Sequence, residues 1–407
     1  MAEVTVGGGN LQTITLNYDT TSNVALAQKI AAQISAQASA GNVVVGSDTG
    51  APPVPSGLTG VFVQSGPGPV VLPTGYTTDI VQTTGPAVVF GSGATNQAIL
   101  TGSSTKLTFV ETSGSGTVAA GGGTNRLNIS GTGDWSLNTG NGNDIISALS
   151  SGADTIAAGG GNNAIKLGSG NDVVVSVGND SIQAGSGSET VDATGAGDTY
   201  VQGGDSNLLF IGGQGGATIF GGSGSDTYLG SPTDPAHNQL IVGGSGGNNL
   251  LYAGDGAATL MGGGNNDQLY AYGSSGQLLA AGSGNETLSA VFSGGNNTLK
   301  AGSGPNLLVD GTGNDTFVGG SGSATISGAT GNDVYAFIKG QAGGTDLVQD
   351  IVDPTAIKIH LEGYGGDEVN KALASQTPGA GGVTISLTDG TKVTFQDVAS
   401  LKPSNFV

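Results

Sequence analysis

Apolar and polar positions alternate along most of this chain with a short, repeating period. The regular part opens at Gly140-Asn141-Gly142-Asn143-Asp144-Ile145-Ile146. Aligning successive segments on Asp144 gives turns at Asp154, Asn163, Asp172, Asp180, Glu189, Asp198, Asn207, Ala217 and Asp226, then from Asn248 to Asp333. Two residues after each of these stands an apolar side chain, from Ile146 and Ile156 through Leu250 and Leu269 to Tyr335. A fixed short period means stacked repeats. Each repeat reads as a glycine bend, where glycine accepts positive φ without steric cost, followed by a strand of a few residues. Two such turns make one coil, so the inward residues form two separate ladders. Leu250, Leu269, Leu288, Leu307 and Ile326 are the expected members of one of them. The fold class is all-β: a parallel β-solenoid or β-roll with a small N-terminal strand-helix segment and a C-terminal β cap.

The rest of the chain is organised around that stack. Residues 1–45 predict a strand at Leu11–Asn17 and a helix from Val24 to about Ser39, capped by Asn23. Leu26, Ile30, Ile34 and Ala38 form its apolar stripe, which must dock on this chain or on another subunit. Residues 46–84 carry Pro52, Pro53, Pro55, Pro67, Pro69 and Pro73 and read as a linker or entry region. The solenoid is expected over 85–338, with Ser231–Gln239 as an inserted loop, and a C-terminal region over 339–407.

Composition narrows the classes. With 79 Gly among 407 residues, 5% aromatics and 10% charged residues, an ordinary globular core is poorly supplied. An apolar content of 36% argues against disorder. The net charge of −20 and the absence of a basic patch exclude nucleic acid as a partner, and no apolar run approaches the ~20 residues that span a membrane. Met1-Ala2-Glu3 begins no charged-then-apolar leader, so no N-terminal secretory signal is expected. There is no Cys, hence no disulfide and no cysteine-based zinc site.

The chemistry available is that of oxygen ligands. Gly-Ser-Gly-Asn-Asp-Val-Val (168–174) and Gly-Thr-Gly-Asn-Asp-Thr-Phe (311–317) resemble the nonapeptide of the repeats-in-toxin (RTX) family, G-G-x-G-x-D-x-U-x. That resemblance implies a parallel β-roll with calcium between successive turns. Calcium takes six to eight oxygen ligands, so acids are needed on adjacent coils of one side. Asp154 with Asp172, Asp180 with Asp198, and Asp315 with Asp333 meet that condition. The twenty aligned positions hold nine Asp, two Glu, five Asn, three Ala and one Gln, which predicts few calcium sites. The alternative is a stack held by glycine geometry and Asn hydrogen bonds.

The segments Gly331–Phe337, Gly344–Ile351, Ile357–Leu361 and Leu387–Phe406 are similar to the C-terminal region of RTX proteins. The resemblance implies export by the type I secretion machinery through an uncleaved C-terminal signal, and a place outside a Gram-negative cell. No enzyme is expected. The two histidines, His237 and His360, stand in no H-E-x-x-H motif, and no G-x-S-x-G elbow lies on a strand-to-helix unit. The expected function is structural: copies that self-assemble into a filament, surface layer or biofilm matrix, with the chain itself as partner. The alternative is a calcium-dependent adhesin or carbohydrate-binding module, for which Tyr252, Tyr270 and Tyr272 are the candidate patch.

Overall fold

The computed structural model describes residues 2–7, 13–195, 197–328, 330–351, 353 and 355–407. The chain is mostly β, a parallel β-solenoid with two α-helices among the described residues. It divides into two units, Met1–Ser206 and Asn207–Val407. No described helix is long and apolar enough to cross a membrane.

The first unit starts with an antiparallel hairpin, Ala2–Gly7 against Thr13–Tyr18, followed by helix α1, Thr21–Ser39. Residues 11 and 12 of the expected first strand lie outside the described residues. The N-cap is Thr20, whose hydroxyl accepts the Asn23 N–H at 3.3 Å, and not Asn23 itself. Asn23 is instead fully buried in the first turn and donates from Nδ2 to the Ala120 carbonyl at 2.7 Å. Ile30 and Ile34 of the expected stripe are buried together with Ala27 and Ala31, while Leu26 is half-buried. They pack on Val4, Val6, Ile14 and Leu16 of the hairpin and on Val61, Ile80, Leu100 and Ala119 of the solenoid. The helix thus docks on its own chain, on the outer face of one sheet.

Parallel coiling begins well before residue 85. Val43–Ser47 pairs with Thr59–Gln64, and that strand with Tyr76–Val81, while Pro69–Val71 pairs with Pro86–Phe90. The stretch expected as a linker or entry region therefore builds the first coils. Its prolines sit in the bends and on the strand at the start of the second sheet, where a missing N–H is tolerated. From there the two ladders run as the alternation requires. One is Ile99, Val118, Leu137, Ile156, Val174 and Val191; the other is Leu127, Ile146, Ile165, Ile182 and Val201. All are buried.

The second unit has the same construction. Its ladders are Phe210, Tyr228, Leu251, Leu269, Leu288, Leu308, Ile326 and Val348, and Ile219, Ile241, Leu260, Leu279, Leu299, Phe317, Tyr335 and Ile359. Two expected ladder members are displaced by one residue. Leu251 and Leu308 point inward, whereas Leu250 is half-buried and Leu307 is 39% exposed. A one-residue slip changes the face of a strand residue. At Asn248 the extra residue is absorbed in a left-handed conformation, φ 64°, which sends Asn249 inward in its place. Gln239 opens a paired strand, Gln239–Val242, so the inserted loop ends at Asn238.

The end of the second unit continues the stack before closing it. Thr345–Gln349 extends one sheet and Lys358–Glu362 the other. Lys392–Phe395 then pairs in parallel with Thr345–Gln349 and antiparallel with Gly382–Ser386. Phe406 bridges to Ile359.

The bend glycines are required less by φ than by close approach. A Cβ at Gly170 would lie 1.7 Å from the Gly152 carbonyl oxygen, and one at Gly187 1.5 Å from that of Gly170. Neither glycine has a positive φ. Bend stacks on bend, backbone to backbone, and any side chain would push the coils apart.

Candidate metal centre

The Asn-Asp pairs that end several of the bends have a definite geometry. Asn143 Oδ1 accepts the backbone N–H of Asn162 on the next coil at 2.9 Å, while Asp144 Oδ1 accepts that of Asn125 on the previous coil at 2.6 Å. Asn171 and Asp172 repeat this with Ser188 and Asp154, and Asn179 and Asp180 with Asp198 and Asn163. In the second unit Asn314 and Asp315 do the same with Asn332 and Asn297. The two side chains thus reach in opposite directions and fasten three coils. Only an acceptor oxygen is needed, so Asn serves as well as Asp: Asn163, Asn249 and Asn297 cap Asp144, Asp226 and Gln277.

This role decides which predicted ligands are free for a metal. Asp154 gives Oδ1 to the Trp135 N–H and Oδ2 to the Ser150 hydroxyl, at 2.8 and 2.7 Å. Asp180 is likewise occupied by Asn163 and by Ser176. Asp172 sits on the coil after Asp154, caps its N–H, and keeps a buried Oδ2 without a hydrogen-bond partner. Burial, and then the Asp154 charge, push its carboxyl up to about 6. Asp198 does not face Asp180. It is exposed, one position before the inward Thr199, and its neighbour Tyr200 points out while Val201 points in.

Asp315 and Asp333 do come together, and Asp310 joins them. One carboxylate oxygen of each lies within 4.8 Å of the others. Asp310 and Asp315 are buried at 1% and 0% exposure. Asp333 Oδ1 accepts the Asp315 N–H at 2.9 Å, and Asp315 Oδ2 has no hydrogen-bond partner. Asp315 is pushed up by burial and by the Asp333 charge, against the N–H of Asn297 that holds it down. The phenol of Tyr335 is raised by burial and by the charges of Asp333 and Asp310. His237 and Asp234 form an ion pair elsewhere, in the inserted loop. Asp310 escaped the sequence reading because it lies five residues before the aligned position, where no other turn carries an acid. Its signal was an acid at a glycine position of the nonapeptide.

The RTX calcium-binding nonapeptide repeat matches four stretches of the chain, residues 149–176, 174–200, 243–277 and 293–326. The chain is an RTX-like β-roll protein. No curated protein and no solved structure matches it. Asp310 and Asp315 lie inside the last matched stretch, and Asp333 on the coil that follows it. Three carboxylates whose oxygens converge within 4.8 Å, with the buried Asp315 Oδ2 lacking a hydrogen-bond partner, fit a hard divalent cation with oxygen ligands. Calcium is the ion these RTX repeats bind. Asp154 and Asp180 have both oxygens engaged by protein donors and stand outside this cluster.

Proposed function

We propose that this RTX-like chain is a secreted, calcium-binding structural protein without enzymatic activity, exported from a Gram-negative cell by type I secretion and assembled from copies of itself outside it. The observation that carries the reading is the acid cluster Asp310, Asp315 and Asp333 set in a roll where Asp154 and Asp180 have both oxygens engaged by protein donors. Calcium there would neutralise charge between two coils. Asp310 and Asp315 would hold it from one coil and Asp333 from the next.

The histidines support a non-catalytic reading. His237 Nδ1 is held by both oxygens of Asp234 in the inserted loop, and His360 Nδ1 meets the Val407 carbonyl at 3.1 Å. Self-association is supported by an apolar patch on the second unit, where Tyr272 pairs with Phe292 across adjacent coils. Phe292 is 62% and Val291 52% exposed. Tyr252 and Tyr270 stack on each other at 4.5 Å, so their faces largely serve the roll and not a sugar ring. Sedimentation and electron microscopy of the full chain, with calcium and with chelator, test this reading. Calcium-dependent oligomers or filaments, weakened by Phe292→Ser, are expected. Monomers under every condition would overturn the assembly.

A further inference from the structure

The first coils, outside the matched repeats, contain a buried carboxylate with nothing to bind. Asp79 lies in Tyr76–Val81, in register with Phe62 below and Ile99 above. Phe62 and Ile99 are buried, and Asp79, at 0% exposure, points with them into the solenoid. Neither of its oxygens has a hydrogen-bond partner. Gln64 is also fully buried, two residues along the strand from Phe62 and on the same face. Its Nε2 donates to the carbonyls of Gly66 and Gly68 at 3.0 and 2.9 Å, which leaves Oε1 buried without a partner. Asp48 reaches the same bend, where Oδ2 accepts the N–H groups of Ser65 and Gly66 at 2.6 and 2.8 Å.

The buried Asp79 carboxylate and Gln64 Oε1, acceptors without donors, cost several kcal/mol unless a positive charge joins them. Burial, and then the nearby Asp48 charge, push the Asp79 carboxyl up to about 8. No cationic side chain pairs with either acid among the described residues.

We infer that Asp79, with Asp48 and the side-chain carbonyl of Gln64, forms a binding site for a divalent cation of the calcium type. Two carboxylates and an amide oxygen are the hard donors that calcium takes. The ion would fasten the bends of the first coils, which lie before the Asn/Asp caps begin at Asn125. The site shares only the identity of the ion with the calcium reading of the repeats.

The test is to count calcium bound to the full chain by equilibrium dialysis, with calcium alone as probe. Asp79→Asn is expected to bind one ion fewer, both in the wild-type background and in an Asp315→Asn/Asp333→Asn background. An unchanged count in either background would overturn the site and show that Asp79 holds a proton. Should Asp79→Asn fail to fold, Asp48→Asn at the exposed side of the bend replaces it. A loss of affinity of at least tenfold for one ion is then expected, and no change overturns the site. Failure of the repeat centre would show separately, as unchanged binding on adding Asp315→Asn/Asp333→Asn alone.

Discussion

Asn314 and Asp315 are neighbours in the chain that serve opposite coils: Asn314 Oδ1 takes the N–H of Asn332 above, and Asp315 Oδ1 that of Asn297 below. The same division at Asn143-Asp144, Asn171-Asp172 and Asn179-Asp180 makes the dipeptide a three-coil fastener. The Asp residues of this roll therefore do two kinds of work, and most of them are engaged with the backbone before any metal is considered.

Substitution at Asp180 separates the two roles. Asp180→Ala strands the Asn163 side chain and N–H and leaves the Ser176 hydroxyl only its 3.3 Å contact with the Thr199 hydroxyl. Each buried group left unsatisfied costs about 1–3 kcal/mol. Asp180→Asn keeps an acceptor for Asn163 and should be close to neutral. Denaturant unfolding in chelator should show this order, and equal losses for both variants would count against a capping role.

The ladder register is testable at a pair of adjacent leucines. Leu308 is fully buried, while Leu307 is 39% exposed. Leu308→Ala should cost about 2–5 kcal/mol, as cavity-forming changes in packed cores do. Leu307→Ala should cost well under half of that. The reverse order would restore the ladder through Leu307 that the 19-residue spacing suggested.

Docking of the N-terminal helix depends on Asn23 and Ile30. Asn23→Ala removes the buried bond to the Ala120 carbonyl, and Ile30→Ala opens a cavity against the hairpin and sheet. Hydrogen exchange should rise over Thr21–Ser39 and Thr13–Tyr18 in either variant, while the coils around Ile156 keep their protection. Uniform loss of protection through the unit would contradict a separately docked module.

The buried acids fix the sign of the pH dependence without metal. Burial holds the carboxyl of Asp346 at about 7 and that of Asp79 at about 8, against an ordinary value of 3.8. The folded chain therefore takes up protons that the unfolded chain does not hold between about pH 4 and pH 8. Stability in chelator should rise as the pH falls from 8 to about 5, and Asp346→Asn should flatten that rise. Melting temperatures across this range in chelator check it, and a higher melting temperature at pH 8 than at pH 5.5 would contradict it.

The period of the roll was legible because every coil must bury one apolar residue per strand, and that leaves a count in the sequence. Register was less legible. Leu250-Leu251 and Leu307-Leu308 offer two apolar neighbours, and only hydrogen bonding to the next coil selects one. The first coils were hidden by their prolines, which break the local pattern yet fit into bends and at the start of a sheet. Asp315 and Asp333 followed from coil spacing. Asp310 did not, since its approach depends on how the bend folds back from the preceding strand. Asp198 failed because the bend before it displaces the inward position to Thr199.

Calcium titration calorimetry of the chelator-stripped full chain against Asp315→Asn tests the metal centre most directly. Uptake of calcium by the wild type is expected, with one site weakened at least tenfold or lost in Asp315→Asn and the same site affected by Asp310→Asn. Identical isotherms for the three proteins, or no calcium uptake by the wild type, would contradict a centre at Asp310, Asp315 and Asp333.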